Sequence, residues 1–236
     1  MMDGSTTIDG FFDGALWLEQ PAPGFGYRAN EDSLLLASFA SRCRPAKTTL
    51  IDLGAGVGTV ALALHLIHPQ TQLTLVEQQP FLADLARNNI VRARLEHVTN
   101  VVQAEVALWS DDQPAFDGMV VANPPYTPPH SGRRAIEPSR DAARHGELTP
   151  FLHAMGRLIA SSQGTACLCY PVSDLLNLIT TASRNGLYPV RLAFVQRNQR
   201  QDTRLALLEL RGRPNTPLVV EPPIVGPFSF PGSPNE

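Results

Sequence analysis

The chain of 236 residues has little charge and almost no lysine. Charged residues make up 17% of it, the formal net charge is −3, and Lys47 is the single lysine among 19 basic residues. Because no basic field covers the whole molecule, a nucleic-acid partner must be bound by a local patch. The other basic residues are arginines, which suit bidentate contacts with phosphate groups.

Cysteines and long apolar runs are scarce as well. Cys43, Cys167 and Cys169 have no metal-ligand spacing, which predicts buried, reduced thiols, no metal site and a cytoplasmic protein. No apolar run approaches the 18 residues of a membrane span, and the first residues lack a charged-then-apolar leader, so we expect no membrane association. The length and the 43% hydrophobic content favour one α/β domain with small additions.

A glycine-rich loop follows the first predicted strand of that domain, at residues 48–53, and leads into a helix predicted over 59–67. A strand, a glycine turn and a helix N-terminus form a cradle in which the backbone approaches a nucleotide-like ligand closely. Thr59 stands where the dinucleotide fingerprint has glycine or alanine, which disfavours a pyrophosphate ligand. The candidate ligand-binding residues of this loop are Asp52, Gly54, Gly56 and Gly58.

Acidic residues follow the next two predicted strands. The apolar strand 73–76 ends at Glu77, and a carboxylate at that position accepts hydrogen bonds from both ribose hydroxyls of an adenosine group. Glu105 comes after a third strand, 98–103. It either faces the adenine ring or is a solvated loop acid.

The apolar run 118–122 predicts a fourth buried strand, which ends at Asn123 because two prolines cannot continue a ladder. Its carboxyl end would then present the amide of Asn123 and the backbone carbonyl of Pro124 as two neighbouring acceptors for a planar NH2 group. Pro125 completes a step without N–H groups, and Tyr126 offers a flat ring for stacking on a nucleobase. The alternative is that Asn-Pro-Pro-Tyr forms only a turn.

Together these segments resemble the class I S-adenosylmethionine-dependent methyltransferases. Residues 52–58 resemble their first motif, Glu77 resembles their ribose-binding acid, and residues 123–126 resemble the fourth motif of the amino-group methyltransferases. Those enzymes act on adenine N6, guanine N2 or a glutamine amide. The resemblance implies S-adenosylmethionine as cofactor and a Rossmann-like α/β fold, with a mostly parallel seven-stranded sheet, helices on both faces and an antiparallel last strand.

Both flanks are similar to the bacterial tRNA adenine-N6 methyltransferases that modify valine tRNA beside the anticodon. The similarity lies in Gln20-Pro21, Gly26-Tyr27-Arg28, the segment 32–37 and the segment 143–148. In that family the N-terminal segment closes over the cofactor, which implies cofactor-binding roles for Tyr27 and Asp32. Asp32 also lies in the first turn of a helix that Asn30 is expected to cap, where a carboxylate is favoured by the helix dipole.

The predicted organisation has three parts. Residues 1–45 supply a hairpin and a helix that cap the cofactor site, residues 46–211 form the methyltransferase domain, and residues 212–236 form a proline-rich tail that wraps around the domain or is disordered. Further helices are predicted over 81–93, 150–158 and 173–185, and further strands over 164–170, 187–196 and 204–210.

Arginines cluster in the loop after the fourth strand and at the tip of the last strand pair. They predict phosphate contacts with RNA, or else local ion pairs and charges that serve solubility. The candidates are Arg133, Arg134, Arg140, Arg144, Arg197, Arg200 and Arg204.

The resulting hypothesis is N6 methylation of an adenosine in RNA, most simply tRNA, by a protein that is a monomer or a homodimer. The alternatives are methylation of a protein glutamine at N5, of guanine N2 in rRNA, or of adenine in DNA. A fourth alternative, from another functional class, is an inactive module that binds adenosine or RNA.

Overall fold

The computed structural model describes residues 5–43, 48–69, 71–126, 139–159, 163–198, 202–214, 217–226 and 228, with only the backbone described for 139–147. An antiparallel hairpin of β1 (Thr6–Phe11) and β2 (Leu16–Pro21) precedes the main sheet. The principal strands of that sheet are β3 (Thr49–Leu53), β4 (Gln72–Glu77), β5 (Thr99–Gln103), β6 (Met119–Ala122), β7 (Thr165–Pro171), β8 (Tyr188–Gln196) and β9 (Leu205–Arg211).

The principal strands are ordered β5-β4-β3-β6-β7-β9-β8. Strands β3 to β7 are parallel, and β9 runs antiparallel to both of its neighbours. The order reverses between β3 and β6, and in open α/β sheets ligands bind beside the carboxyl ends of the strands at such a point. The predicted mostly parallel sheet with an antiparallel last strand is therefore confirmed for these seven strands, although the described sheet has nine in all.

Two short strands from the tail extend the sheet further. Strands β10 (Val219–Val220) and β11 (Ile224–Val225) both pair in parallel with β8. The described part of the tail thus wraps against the domain, and the alternative of a disordered tail is wrong for these residues.

Helices cover both faces of the sheet. They are α1 (Glu31–Ala40), α2 (Thr59–Ile67), α3 (Pro80–Ala93), α4 (Val106–Asp111), α5 (Ser139–Ile159) and α6 (Leu175–Arg184). Successive strand residues point to opposite faces, so β6 contributes Met119 and Val121 to one core and Val120 and Ala122 to the other. This double burial explains why its sequence is a continuous apolar run.

The N-terminal hairpin is fixed to the main domain through one buried amide. Asn89 of α3 accepts a hydrogen bond from the backbone N–H of Glu19, and it donates to the carbonyls of Glu19 and Val57. Because an unpaired buried amide would be costly, these three bonds hold β2 against α3.

Within the described residues, no helix combines the length and the apolar character that crossing a membrane requires.

Two helices differ from the sequence-based expectation. Pro150 was expected to begin a helix, as proline often does, but it lies inside α5, which begins at Ser139. Helix α4 was not predicted, because six residues are too few to show a helical period. Arg140 and Arg144 consequently lie in a helix rather than in or beside a loop.

Candidate active site

A cavity of about 320 Å³ lies at the carboxyl ends of β3, β4 and β6. Its size is within the range of small-molecule pockets, and its position is the one that the strand order predicts. The lining residues are Tyr27, Gly54, Gly56, Glu77, Gln78, Gln79, Leu82, Glu105, Val106, Asn123, Pro125, Pro150 and Phe151.

The glycine loop forms the floor of this cavity with backbone rather than side chains. Gly54 and Gly56 have φ angles of +66° and +56°, a conformation that other residues rarely adopt. A Cβ atom at Gly54 would lie 2.8 Å from the ring of Phe151, and one at Gly56 would lie 3.4 Å from the ring of Tyr27. Glycine is therefore required at position 54 by both the backbone conformation and the lack of space, and at position 56 by the backbone conformation.

Asp52 supports the loop from below and does not line the cavity. Its buried carboxylate accepts a hydrogen bond of 3.1 Å from the N–H of Ala61, in the first turn of α2. Gly58, which precedes that helix, has no side chain with which to satisfy these N–H groups. Burial raises the pKa of Asp52 to about 7, against the hydrogen bond from Ala61, which lowers it.

Glu77 stands at the end of β4 and lines the cavity while its residue is only 4% exposed. One carboxylate oxygen accepts from the N–H of Gly56 at 2.9 Å, and the other accepts from the N–H of Gln79 at 2.8 Å. An ionised carboxylate has about four acceptor positions, so roughly two of them remain for a ligand.

Glu105 also lines the cavity, and it precedes α4 as the N-terminal capping residue. Its carboxylate accepts a hydrogen bond of 3.2 Å from the N–H of Ala107. Glu105 is therefore a half-buried capping residue at the cavity wall.

Asn123 follows β6 and borders the same cavity as Gly54 and Gly56. Its NH2 group donates to the hydroxyl of Tyr27 and to the hydroxyl of Ser33, both at 3.0 Å. Its carbonyl oxygen accepts from the thiol of Cys169 at 3.1 Å. Of the two neighbouring prolines, Pro124 is buried, whereas Pro125 is exposed and lines the cavity.

Tyr27 covers the glycine loop from the N-terminal side and is 41% exposed. Its ring contacts the position above Gly56, and its hydroxyl accepts from Asn123. Partial desolvation raises the pKa of Tyr27 to about 12, against a hydrogen bond with Ser33 that lowers it.

Tyr126 and Asp32 bond to each other, and neither lines the cavity. The hydroxyl of Tyr126 donates to one carboxylate oxygen of Asp32, whose other oxygen pairs with Arg204 at 2.5 Å. The ring of Tyr126 meets that of Tyr170 edge to face, with 6.0 Å between the ring centres. Burial and the bond to Asp32 raise the pKa of Tyr126 above its ordinary value.

The structure describes few of the candidate RNA-contacting side chains. Arg197 is exposed, whereas the guanidinium of the half-buried Arg204 pairs with both Asp32 and Glu31. Arg133, Arg134 and Arg200 lie outside the described residues, as do the side chains of Arg140 and Arg144.

Sequence reasoning missed three residues that hold the site together. Ser33 and Cys169 bond to Asn123, and Phe151 covers Gly54. Ser33 lies in the segment that resembles the valine-tRNA enzymes, which was a usable signal. No local pattern marks Cys169 or Phe151.

Within the described residues, no group of three or more His, Cys, Asp or Glu residues is placed to hold a metal ion.

Comparisons with known proteins agree with this geometry. Residues 30–144 match the profile of the family described as Methyltransferase small domain. A tRNA1(Val) (adenine(37)-N6)-methyltransferase from Tolumonas auensis is 29% identical over 191 residues, covering 79% of this chain and 77% of that protein. A protein of the same name from Vibrio campbellii is 25% identical over 187 residues, with coverages of 78% and 76%.

Among solved structures, one described as a predicted O-methyltransferase from Agrobacterium tumefaciens shares the fold. Its TM-score is 0.63 at 19% sequence identity, and the match covers 84% of this chain and 91% of that one. The sheet order, the glycine loop and the family match identify the chain as a class I S-adenosylmethionine-dependent methyltransferase. Within that class, it is similar to proteins named as tRNA adenine-N6 methyltransferases.

The cavity fits S-adenosylmethionine on its own chemistry. The acidic and amide side chains of Glu77, Gln78 and Glu105 line it beside apolar groups of Leu82 and Val106. Such a wall matches an adenosine group, which has ribose hydroxyl donors and a flat apolar ring.

Proposed function

We propose that this methyltransferase transfers a methyl group to the N6 amino group of an adenosine in tRNA. The observation that carries the proposal is that the amide of Asn123 borders the same cavity as Gly54, Gly56 and Glu77. Asn123, which would bind the substrate amino group, and the glycine loop, which would bind the methyl donor, therefore face the same cavity. The names of the similar proteins favour tRNA adenine as the acceptor.

On the cofactor side, we assign the ribose hydroxyls to Glu77, because both of its oxygens retain acceptor capacity. Glu105 would face the adenine ring from the adjacent strand end. Gly54 and Gly56 let the backbone approach the cofactor, and Tyr27 covers it. Asp52 would act without contacting the cofactor, by holding α2 and the loop in place.

On the acceptor side, the carbonyl oxygen of Asn123 and that of Pro124 would accept the two hydrogens of the substrate NH2 group. Cys169 uses one lone pair of the Asn123 oxygen, which leaves the second for the substrate. These bonds strengthen as the nitrogen becomes tetrahedral and positively charged, so they stabilise the transition state more than the ground state. Bound S-adenosylmethionine supplies an activated methyl group on its sulfonium.

No side chain needs to act as a strong base in this scheme. The nitrogen lone pair forms the new N–C bond while the C–S bond breaks, and the resulting ammonium then loses one proton to water. Holding both reactants in this geometry can supply about 7 to 11 kcal/mol of the barrier. The target base must leave its stack to reach the cavity, as other base-modifying enzymes require.

The hydroxyl of Tyr126 is bonded to Asp32, so its aromatic ring is the part that would contact the substrate. We propose that the base stacks on this ring. Phosphate contacts through Arg197 and the other candidate arginines belong to the same proposal and would give RNA binding a salt-dependent component.

The deciding experiment is methyl transfer from tritiated S-adenosylmethionine into bulk tRNA, followed by nucleoside analysis. We expect label in N6-methyladenosine with the native chain and none with Asn123→Ala. Parallel reactions contain rRNA, double-stranded DNA and glutamine-containing protein. Label in N2-methylguanosine, in DNA or in glutamine would replace the proposed substrate, and cofactor binding without transfer to any acceptor would indicate an inactive binding module.

A further inference from the structure

Two consecutive residues of α1 hold both polar ends of the Asn-Pro-Pro-Tyr loop. Ser33 accepts a hydrogen bond from the NH2 group of Asn123 at 3.0 Å. Asp32 accepts a hydrogen bond from the hydroxyl of Tyr126. Both helix residues are buried, with 2% of Ser33 and 6% of Asp32 exposed. One helical turn thus contacts the first and the last residue of the motif.

We propose that Asp32 and Ser33 are positioning residues that set the Asn-Pro-Pro-Tyr loop for methyl transfer. This inference rests on the proposed function, and it assigns a task to two residues that do not line the cavity.

Ser33 determines the orientation of the side-chain amide of Asn123. The hydroxyl of Ser33 donates to the side-chain oxygen of Asn30 at 3.3 Å and accepts from the NH2 group of Asn123 at 3.0 Å. That acceptor selects the NH2 end of the amide. The carbonyl end is consequently turned toward the thiol of Cys169, which donates to it. Without Ser33, a rotation that exchanges the two ends of the amide would cost less.

Asp32 fixes the far end of the loop by a different route. Its carboxylate lies between Tyr126 and Arg204, which directly precedes β9. A buried carboxylate is stable when it is paired and hydrogen-bonded, and both of its oxygens have partners here. The phenol of Tyr126 is therefore tied through Asp32 to the sheet.

Helix capping does not account for either residue. Asn30 already caps α1, since its side chain accepts from the N–H of Ser33 at 3.1 Å. Glu31, which is 49% exposed at its side chain, already places a carboxylate in the first turn. The carboxylate of Asp32 instead bonds to Tyr126 and Arg204, which are 94 and 172 residues away in sequence.

The test compares Asp32→Ala and Ser33→Ala with Glu31→Ala in the full chain. Glu31 is a matched control, because it is the adjacent acid and pairs with the same Arg204. We expect kcat for tRNA to fall about 10- to 100-fold in the first two variants, the range expected for misplacing a reacting group by about 1 Å. The Kd for S-adenosylmethionine and the KM for tRNA should change much less, and Glu31→Ala should match the native chain.

A double-mutant cycle separates positioning from general destabilisation. Asp32→Ala should add little to the loss that Tyr126→Phe alone causes, because both remove the same contact. Additive losses, or equal losses of kcat and cofactor affinity that follow the melting temperature, would overturn the proposal.

A second readout does not depend on activity. The chain has four tyrosines, so labelling their ring Cζ atoms with 13C gives four NMR signals, and Tyr126→Phe identifies that of Tyr126. Its signal should move in Asp32→Ala and stay in Glu31→Ala. An unmoved signal overturns the contact. If the native chain methylates no RNA although the signal moves, the proposed function is refuted while the positioning contact is supported.

Discussion

The cofactor side and the acceptor side of the cavity are built in different ways. On the cofactor side, side chains bond to backbone close in sequence: Asp52 reaches Ala61, 9 residues away, and Glu77 reaches Gly56, 21 residues away. On the acceptor side, Asn123 bonds to Tyr27 and Ser33, which are 96 and 90 residues away. The first region depends on a local motif, whereas the second depends on the packing of the whole domain.

This difference means that the two functions of the site should be separable by mutation. A change in the glycine loop should weaken cofactor binding, because the loop shape itself is the binding surface. A change at the acceptor loop should reduce turnover and spare the cofactor. Substitutions on each side of the cavity can test that separation.

Asn123→Ala should reduce kcat by at least about 100- to 1,000-fold, the loss typical of removing one group that stabilises a developing charge. The Kd for S-adenosylmethionine, measured by calorimetry, should stay within about threefold of the native value because the glycine loop and Glu77 are untouched. A comparable loss of both quantities would show that the two regions are not separable.

Gly54→Ala should weaken cofactor binding by tenfold or more. The new methyl group would lie 2.8 Å from the ring of Phe151 and would push it or the loop out of place. Gly186→Ala is the matched control, because Gly186 also has a positive φ, +71°, but its Cβ would meet nothing within 4 Å. Both variants should lose about 1 to 2 kcal/mol of stability from the backbone conformation, and only Gly54→Ala should lose cofactor affinity.

Glu77→Gln should lower cofactor affinity by roughly tenfold, while kcat at saturating cofactor changes little. Glutamine replaces one acceptor oxygen by an NH2 donor, which would face the N–H of Gly56 or of Gln79. An unpaired buried donor costs about 1 to 3 kcal/mol. Equal affinity for the cofactor in the variant and the native chain, by calorimetry, would remove Glu77 from the binding site.

Asp52 gives a smaller, pH-dependent effect on the free energy of unfolding. Its pKa is about 7 in the folded chain and about 3.9 when unfolded, so between these values the folded chain binds the extra proton. Stability contributed by this group is complete below pH 4 and is lost as the pH rises through 7.

Relative to Asp52→Asn, which keeps an acceptor for the N–H of Ala61, the native chain should therefore lose about 1 kcal/mol between pH 6 and 7.5. Urea unfolding at both pH values measures this difference. Parallel pH profiles for the two proteins would show that Asp52 is ionised throughout that range.

The contrast between the two regions also explains what the sequence could predict. Helix α2 begins and ends at the predicted residues, Thr59 and Ile67, and Asn30 caps α1 as expected. Local signals suffice there, because a glycine turn, a cap and an apolar period each act within a few residues. The enzyme class and its cofactor followed from the same motifs.

The partners of the acceptor loop could not be predicted in this way. Asp32 was assigned to the cofactor side by resemblance, whereas the structure places it between Tyr126 and Arg204. Arg204 was a candidate for RNA contact, and nothing in its local sequence shows that it forms ion pairs with Glu31 and Asp32. Contacts between residues more than 90 positions apart are decided by how the strands and helices pack, which no short period encodes.

The tail strands have a consequence for self-association. Strand β8 would otherwise be an open edge of the sheet, with unpaired N–H and C=O groups able to recruit another chain. Val219 and Val220 cover one stretch of it and Ile224 and Val225 cover another, while Glu221 between them is bonded to Arg191 and Arg42. These tail residues therefore shorten the unpaired stretch of β8 that is able to recruit another chain.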